Sequence, residues 1–266
     1  MSEAQPNPEA RLYGLRYILS FLLQARQLGT PRDLDLEDQL AFLTLLSRRT
    51  GLYKSQLGQD LFALAMSGDR QGGYFVEVGA HHGEQLSNTW LLETEHGWTG
   101  LLVEPNPQHE ESLRQRRATL VRKAAWKRTG ATLTFHATRD SALSSLAGSA
   151  PKDQHDRSDF QEITVETMTL DDILIQQGAP RQIDFISIDV EGAELDVLDG
   201  LSFDKWDVQA MCLEHNHDKD RLAEFDRRLA SVGLRRVFDT VSDFDAFYAR
   251  AECLERWRKT AAHLPA

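Results

Sequence analysis

The apolar positions of the chain change their period once, near residue 70. Before that point they recur at helical spacing over residues 12–27 and 35–48, which are separated by Gly29-Thr30-Pro31. A third helix is predicted over 55–66, where cap-type residues precede another apolar stretch. After Gly72-Gly73 the pattern turns into short continuous apolar runs that end abruptly in polar residues. These predict strands over 74–78, 100–104, 119–122, 131–136, 163–168, 183–189, 208–213, 234–238 and 244–249. Helical segments fall between them at 84–95, 108–117, 170–177, 193–198 and 221–231. Strands alternating with helices predict an α/β fold with βαβ units and a mostly parallel sheet covered on both faces. The last two strands, joined by a short polar turn, predict a hairpin that sets one antiparallel strand near the sheet edge. The expected organisation is a helical extension over 1–70, acting as a cap or an oligomer contact, followed by a ligand-binding α/β domain over 71–266.

Composition narrows the function classes. The chain has 266 residues, 41% hydrophobic and 27% charged, with a formal net charge of −11. That balance disfavours a nucleic-acid surface, which needs a basic patch, and the arginine clusters at 114–117, 122–123 and 235–236 sit among acids. Two cysteines, Cys212 and Cys253, give no disulfide framework or metal spacing. The apolar stretch 12–23 is too short to span a bilayer and contains Arg16. The start lacks the basic-then-apolar form of a secretory signal, so the cytoplasm is the expected location.

The chemistry gathers where strands end. The run 74–78 breaks into Gly79-Ala80-His81-His82-Gly83, a glycine turn that lets backbone approach a ligand, with Glu77 beside it. This is not the G-x-G-x-x-G of dinucleotide enzymes, which counts against an NAD-dependent oxidoreductase. Glu104 ends the next strand, where an acid in a Rossmann-like fold accepts the hydroxyls of an adenosine ribose. Without a diphosphate loop, a ribose site favours S-adenosylmethionine (SAM). The run 183–189 ends in Asp189, Glu191 and Glu194, a carboxylate density that burial and mutual repulsion make costly. Glu194 can instead complement the start of its helix. Glu214, His215 and His217 follow the next strand, so Asp189 and Glu214 are expected to converge on one cleft. Asp189, Glu214 and His215 could hold a divalent cation such as Mg2+, or act as a base with its orienting partner. The polar stretch 140–157 reads equally as a lid or as an exposed loop.

These stretches together resemble the FkbM family of SAM-dependent methyltransferases. The resemblance is carried by SQLGQD (55–60), GYFVEVGAHHGEQLSNT (73–89), GWTGLLVEPNP (97–107), the serines at 144–145, TLDDIL (169–174), IDFISIDVEGAELDVLDG (183–200) and LEHN (213–216). It covers about residues 52–216 and leaves the first 50 uncovered. It implies a Rossmann-like class I methyltransferase fold: a seven-stranded, mostly parallel sheet with a C-terminal antiparallel hairpin, plus the N-terminal helices. It also implies methyl transfer from SAM to a hydroxyl of a sugar or natural product. The residues implied for the cofactor are Glu77, Gly79, Ala80, His81, Gly83 and Asn88 around the methionine part, Glu104 and Pro105 around the ribose, and Asp189. Asp189, Glu191 and Glu214 would face the acceptor, with Asp189, Glu214 or His215 catalytic, and Asp172 would lie at the cleft rim. Glu77 and Gly83 stand where many relatives have Asp and Pro, changes that keep the charge and the turn. In the similar macrocin-type sugar methyltransferases such strand-end carboxylates bind Mg2+, and Asp189, Glu214 and His215 match that set only in part. The expected partner is a small-molecule or glycan acceptor, with a homodimer through the N-terminal helices as a further expectation. The alternative is a domain that holds SAM or a glycan without turnover.

Overall fold

The computed structural model describes Arg16 and residues 34–151 and 155–262. The helix expected over 12–27 lies outside them, apart from Arg16. Two helices, α1 (Leu34–Arg48) and α2 (Gln59–Ser67), precede the sheet. The main sheet is built from β1 (Tyr74–Val78), β2 (Thr99–Val103), β3 (Thr119–Val121), β9 (Phe185–Ile188), β11 (Ala210–Glu214), β12 (Leu234–Val237) and β13 (Asp245–Arg250). Their order is β3-β2-β1-β9-β11-β13-β12. β1 pairs in parallel with β2 and β9, and β9 with β11, while β13 runs antiparallel to both β11 and β12. This is the seven-stranded, mostly parallel sheet with an antiparallel C-terminal hairpin that the sequence implies.

The uninterrupted apolar runs follow from burial on both faces. Phe75, Phe185, Cys212 and Phe247 point into one core, which they share with Phe42 of α1, Phe62 of α2 and Trp257. Val76, Ile186, Leu213 and Tyr248 point into the other, with Ile173, Val197 and Phe225. On the first face Phe42 stacks on Phe238 and Phe62 on Phe247, each with ring centroids 4.7 Å apart. The described helices before the expected boundary at 70, α1 and α2, therefore share a core with the strands. Among the described residues no helix is long and apolar enough to cross a membrane.

The structure corrects several element boundaries, each for a traceable reason. The helix expected over 84–95 is only α3 (Trp90–His96). The preceding turn is irregular because buried Glu77 takes the Asn88 amide (2.7 Å) and the hydroxyls of Ser87 (2.9 Å) and Thr89. The helix expected over 108–117 shrinks to a 3-10 turn, Pro107–His109, and α4 (Glu110–Leu113). It stops there because Glu93 captures the amides of Arg117 (2.7 Å) and Ala118 (3.1 Å). The strand expected over 208–213 is two pieces, β10 (Asp207–Val208) and β11, with β10 pairing to β8 (Gln182–Ile183).

Two features were missed outright. The strands at 131–136 and 163–168 are longer, β5 (Thr132–Thr138) and β7 (Phe160–Met168). They form a separate four-stranded sheet with β4 (Ala124–Ala125) and β6 (Ser145–Leu146), in the order β4-β7-β5-β6. The chain also ends in a helix, α8 (Ala251–Ala261), whose Cys253, Leu254 and Trp257 are buried at helical spacing. Three more helices, α5 (Leu170–Gln176), α6 (Glu194–Leu198) and α7 (Lys219–Ser231), complete the fold.

Candidate functional site

Parallel register sets the site. Val78 pairs with both Val103 and Ile188, and Ile188 with Leu213, so β1, β2, β9 and β11 end side by side. Gly79, Glu104, Asp189 and Glu214 sit at those neighbouring ends, where ligands bind in open α/β sheets. Gly79 has φ of +83°, and a Cβ there would lie 1.7 Å from the Asp189 carbonyl oxygen. Only glycine lets these two strand-end turns touch.

Two cavities open here and meet at Gly79, His81, Ala142, Asp189 and Glu191. The first encloses about 560 Å³, part of it open to solvent, and is walled by Pro105, Ala125, Phe135, Leu146 and Val190, with Glu104 at its polar edge. Glu104 is buried, and each of its oxygens accepts one backbone amide, from His81 (2.9 Å) and Asn106 (2.8 Å). A carboxylate has about four acceptor positions, so about two remain for hydroxyl donors. Burial pushes the Glu104 carboxyl up to about 7 against the pull of those amides.

The second cavity, of about 1050 Å³ with its open mouth, is lined by Glu77, Asn88, Asp140, Glu214, Asn216 and Phe244, besides the shared residues. Its chemistry lies in carboxylates. Oxygens of Asp189, Glu191 and Glu214 lie within 4.8 Å of one another. The Asp189 and Glu214 carboxyls face each other closely enough that a proton on either one could be shared. Burial raises both carboxyls well above the usual range; Glu191, Glu194 and Asp245 repel both and Asp189 repels Glu214, while Glu214 pulls Asp189 part of the way back. Arg157 Nη2 donates to Glu191 Oε2 at 2.6 Å. Glu194, 0% exposed, does not face the cavity: it accepts the amides of Val190 (3.2 Å) and Gly192 (2.9 Å) and Arg221 Nη1 at 3.0 Å. It is the brace that holds the turn carrying Glu191.

Other expected residues are placed as follows. Ala80, His81 and Asn88 line the second cavity, and Pro105 the first. Gly83 lines neither, and its carbonyl accepts from Arg116. Glu77 lines the second cavity but is engaged by the 87–89 turn, and burial raises its carboxyl against the nearby Arg116. His215 lines neither cavity; its Nε2 lies 3.1 Å from the Asp245 carbonyl oxygen, and burial lowers its basicity. Asp172 bonds Thr129 and lines neither cavity. His81 reaches across with Nε2 2.8 Å from Ser141 Oγ, and stands 4.4 Å from the His109 ring.

Sequence reasoning missed Asp245, Gln59 and Arg157. Asp245 is buried opposite Glu214 in the β11–β13 register, accepts Gln59 Nε2 at 2.8 Å, and is raised by burial to about 7. An acid inside the apolar run 244–249 was its signal.

A family model described as "Methyltransferase FkbM domain" matches residues 77–243. Comparison with curated proteins gives no match. Among solved structures, a precorrin-6y C5,15-methyltransferase from Geobacter metallireducens GS-15 is similar at 14% identity and a TM-score of 0.36, over 66% of this chain and 70% of that one. The METTL16 MTase domain is similar at 12% identity and a TM-score of 0.42, over 80% and 78%. Likenesses this distant carry no functional argument.

Proposed function

The chain belongs to the FkbM methyltransferase family, and on that premise we propose that it methylates a hydroxyl of a sugar or natural product, using SAM. The observation that carries this reading is the junction of two unlike cavities at Gly79, Asp189 and Glu191. The first fits a nucleoside: apolar walls for a flat base, and Glu104 with acceptor positions left for ribose hydroxyls. Among the described residues no lysine or arginine lines it.

Bound SAM supplies an electrophilic methyl carbon: a C–O bond to the acceptor forms as the C–S pair returns to sulfur and the hydroxyl proton leaves. The chain's part is to align the acceptor and take that proton. The Asp189–Glu214 pair is suited to it, because burial and the neighbouring carboxylates raise the basicity of both groups. Gly79 fixes the spacing between this pair and the cofactor side.

A divalent cation would find oxygen ligands in Asp189, Glu191 and Glu214. Yet the Arg157 guanidinium already engages Glu191, leaving Asp189 and Glu214 as the oxygen donors. Turnover is expected to survive a chelator. Calorimetry tests the cofactor half: SAM binds, and Glu104→Ala weakens it at least tenfold. If SAM does not bind, the reading fails. If it binds but no hydroxyl acceptor ever yields S-adenosylhomocysteine, the chain is a binding module.

A further inference from the structure

The acceptor-side cavity offers hydrogen-bond acceptors in excess. Asp140, Asp189, Glu191 and Glu214 line it together with Glu77 and, among the described residues, no lysine or arginine does. An acidic cluster alone specifies no ligand, but two further observations give it one. Asn88, 6% exposed, lines the same cavity. Its Nδ2 donates to Ser187 at 2.9 Å, and its Oδ1 accepts nothing from the protein. Glu214, also 6% exposed, likewise leaves Oε2 without a donor. A buried acceptor without a donor costs free energy until a ligand supplies one. The second observation is that the fold already seats an organic cation on this cluster, through the 2.6 Å bond from Arg157 to Glu191.

The cofactor does not use up this surplus. Its methionine end carries one ammonium and one carboxylate, which cancel, and the sulfonium of SAM adds one positive charge that S-adenosylhomocysteine lacks. Against the guanidinium of Arg157 bonded to Glu191, this cavity sets four carboxyl groups, those of Asp140, Asp189, Glu191 and Glu214. An acceptor bearing phosphate or carboxylate would be repelled by every one of these groups. A neutral polyol would supply donors but leave the charge unbalanced in a half-closed cavity.

We propose that the acceptor is a cationic polyol: a small sugar or natural product with an ammonium group near the hydroxyl to be methylated, its N–H donors held by Glu191 and Glu214. This rests on the methyltransferase reading and adds its substrate class. A charge-assisted hydrogen bond in a desolvated site gives such an amine a roughly tenfold to hundredfold advantage over a neutral isostere.

The test is calorimetry on the full chain saturated with S-adenosylhomocysteine, with glucosamine, N-acetylglucosamine and glucuronate as probes at pH 7. Glucosamine is expected to bind at least tenfold more tightly than either of the others. Glu191→Gln should remove most of that advantage. Asp140→Asn, a change at an exposed position that leaves folding intact, should reduce it about threefold. The proposal is overturned if N-acetylglucosamine or glucuronate binds as well as glucosamine, or if none of the three binds. It also falls if millimolar Mg2+ abolishes glucosamine binding, which would make the cluster a metal site. Failure of the methyltransferase reading shows separately, as absence of S-adenosylhomocysteine binding; the ranking of the three probes is then read on the protein alone.

Discussion

The ends of β1 and β2 and the ends of β9 and β11 carry the same residue type and treat it in opposite ways. On the first side, Glu77 and Glu104 are each bonded to backbone amides of their surroundings, as is Glu93 of the neighbouring α3, and Arg116 stands beside Glu77 and Glu93. Their negative charge is spent on shaping turns. On the second side, Asp189 and Glu214 face each other, and oxygens of Glu214 and Asp245 have no donor. The first arrangement builds a rigid cradle, while the second stores repulsion that a proton or a cation relieves. A carboxylate's role is thus set by whether amides or other carboxylates surround it.

That contrast can be broken from either side. Asp189→Asn should lower turnover roughly 10²–10⁴-fold, the scale of a lost general base, while unfolding by denaturant shows stability unchanged or raised. Buried repulsion is removed along with the base. A parallel loss of stability would mean that Asp189 is a brace like Glu194. Glu77→Leu should do the reverse, destabilising the fold by about 3–5 kcal/mol in a denaturant titration, because Ser87, the Asn88 amide and Arg116 lose a buried anion.

Two pH effects sharpen the comparison. Glu104, at about 7 in the free protein, must be ionised to accept ribose hydroxyls. SAM affinity by calorimetry should therefore fall roughly fivefold from pH 7 to pH 6, and Glu104→Gln should flatten the profile. The smallest effect is on stability. The carboxyls of Asp60, Glu104 and Asp245 are raised by burial to about 7, so the folded chain holds protons that the unfolded chain releases. Their contribution is complete below pH 4 and is lost as pH rises to 7. The melting temperature without ligand should be higher at pH 5.5 than at pH 8, and Asp245→Asn should narrow that gap.

What the sequence made legible were the strand ends, because a run buried on both faces has no reason to stop in acids except at a boundary or a site. Glu77, Glu104, Asp189 and Glu214 were all placed at strand ends this way. The misread parts depend on partners far along the chain. Residues 84–89 carry helix-forming character, but Glu77 draws their amides out of helical order. The helix over 108–117 is cut short by Glu93, which lies outside it. Asp245 and Arg157 join the site only through strand pairing and loop return, which no local pattern encodes.

One contact described by neither cavity joins these themes. Gly192 has φ of +108°, and a Cβ there would lie 1.8 Å from the Ser149 carbonyl oxygen. The backbone after β6 therefore rests directly on the turn that presents Glu191, with no side chain between them to absorb movement. The two segments act as one mechanical piece. Their amides should exchange with solvent at a common rate, so that hydrogen exchange measured near residue 149 reports on the carboxylate turn without touching it.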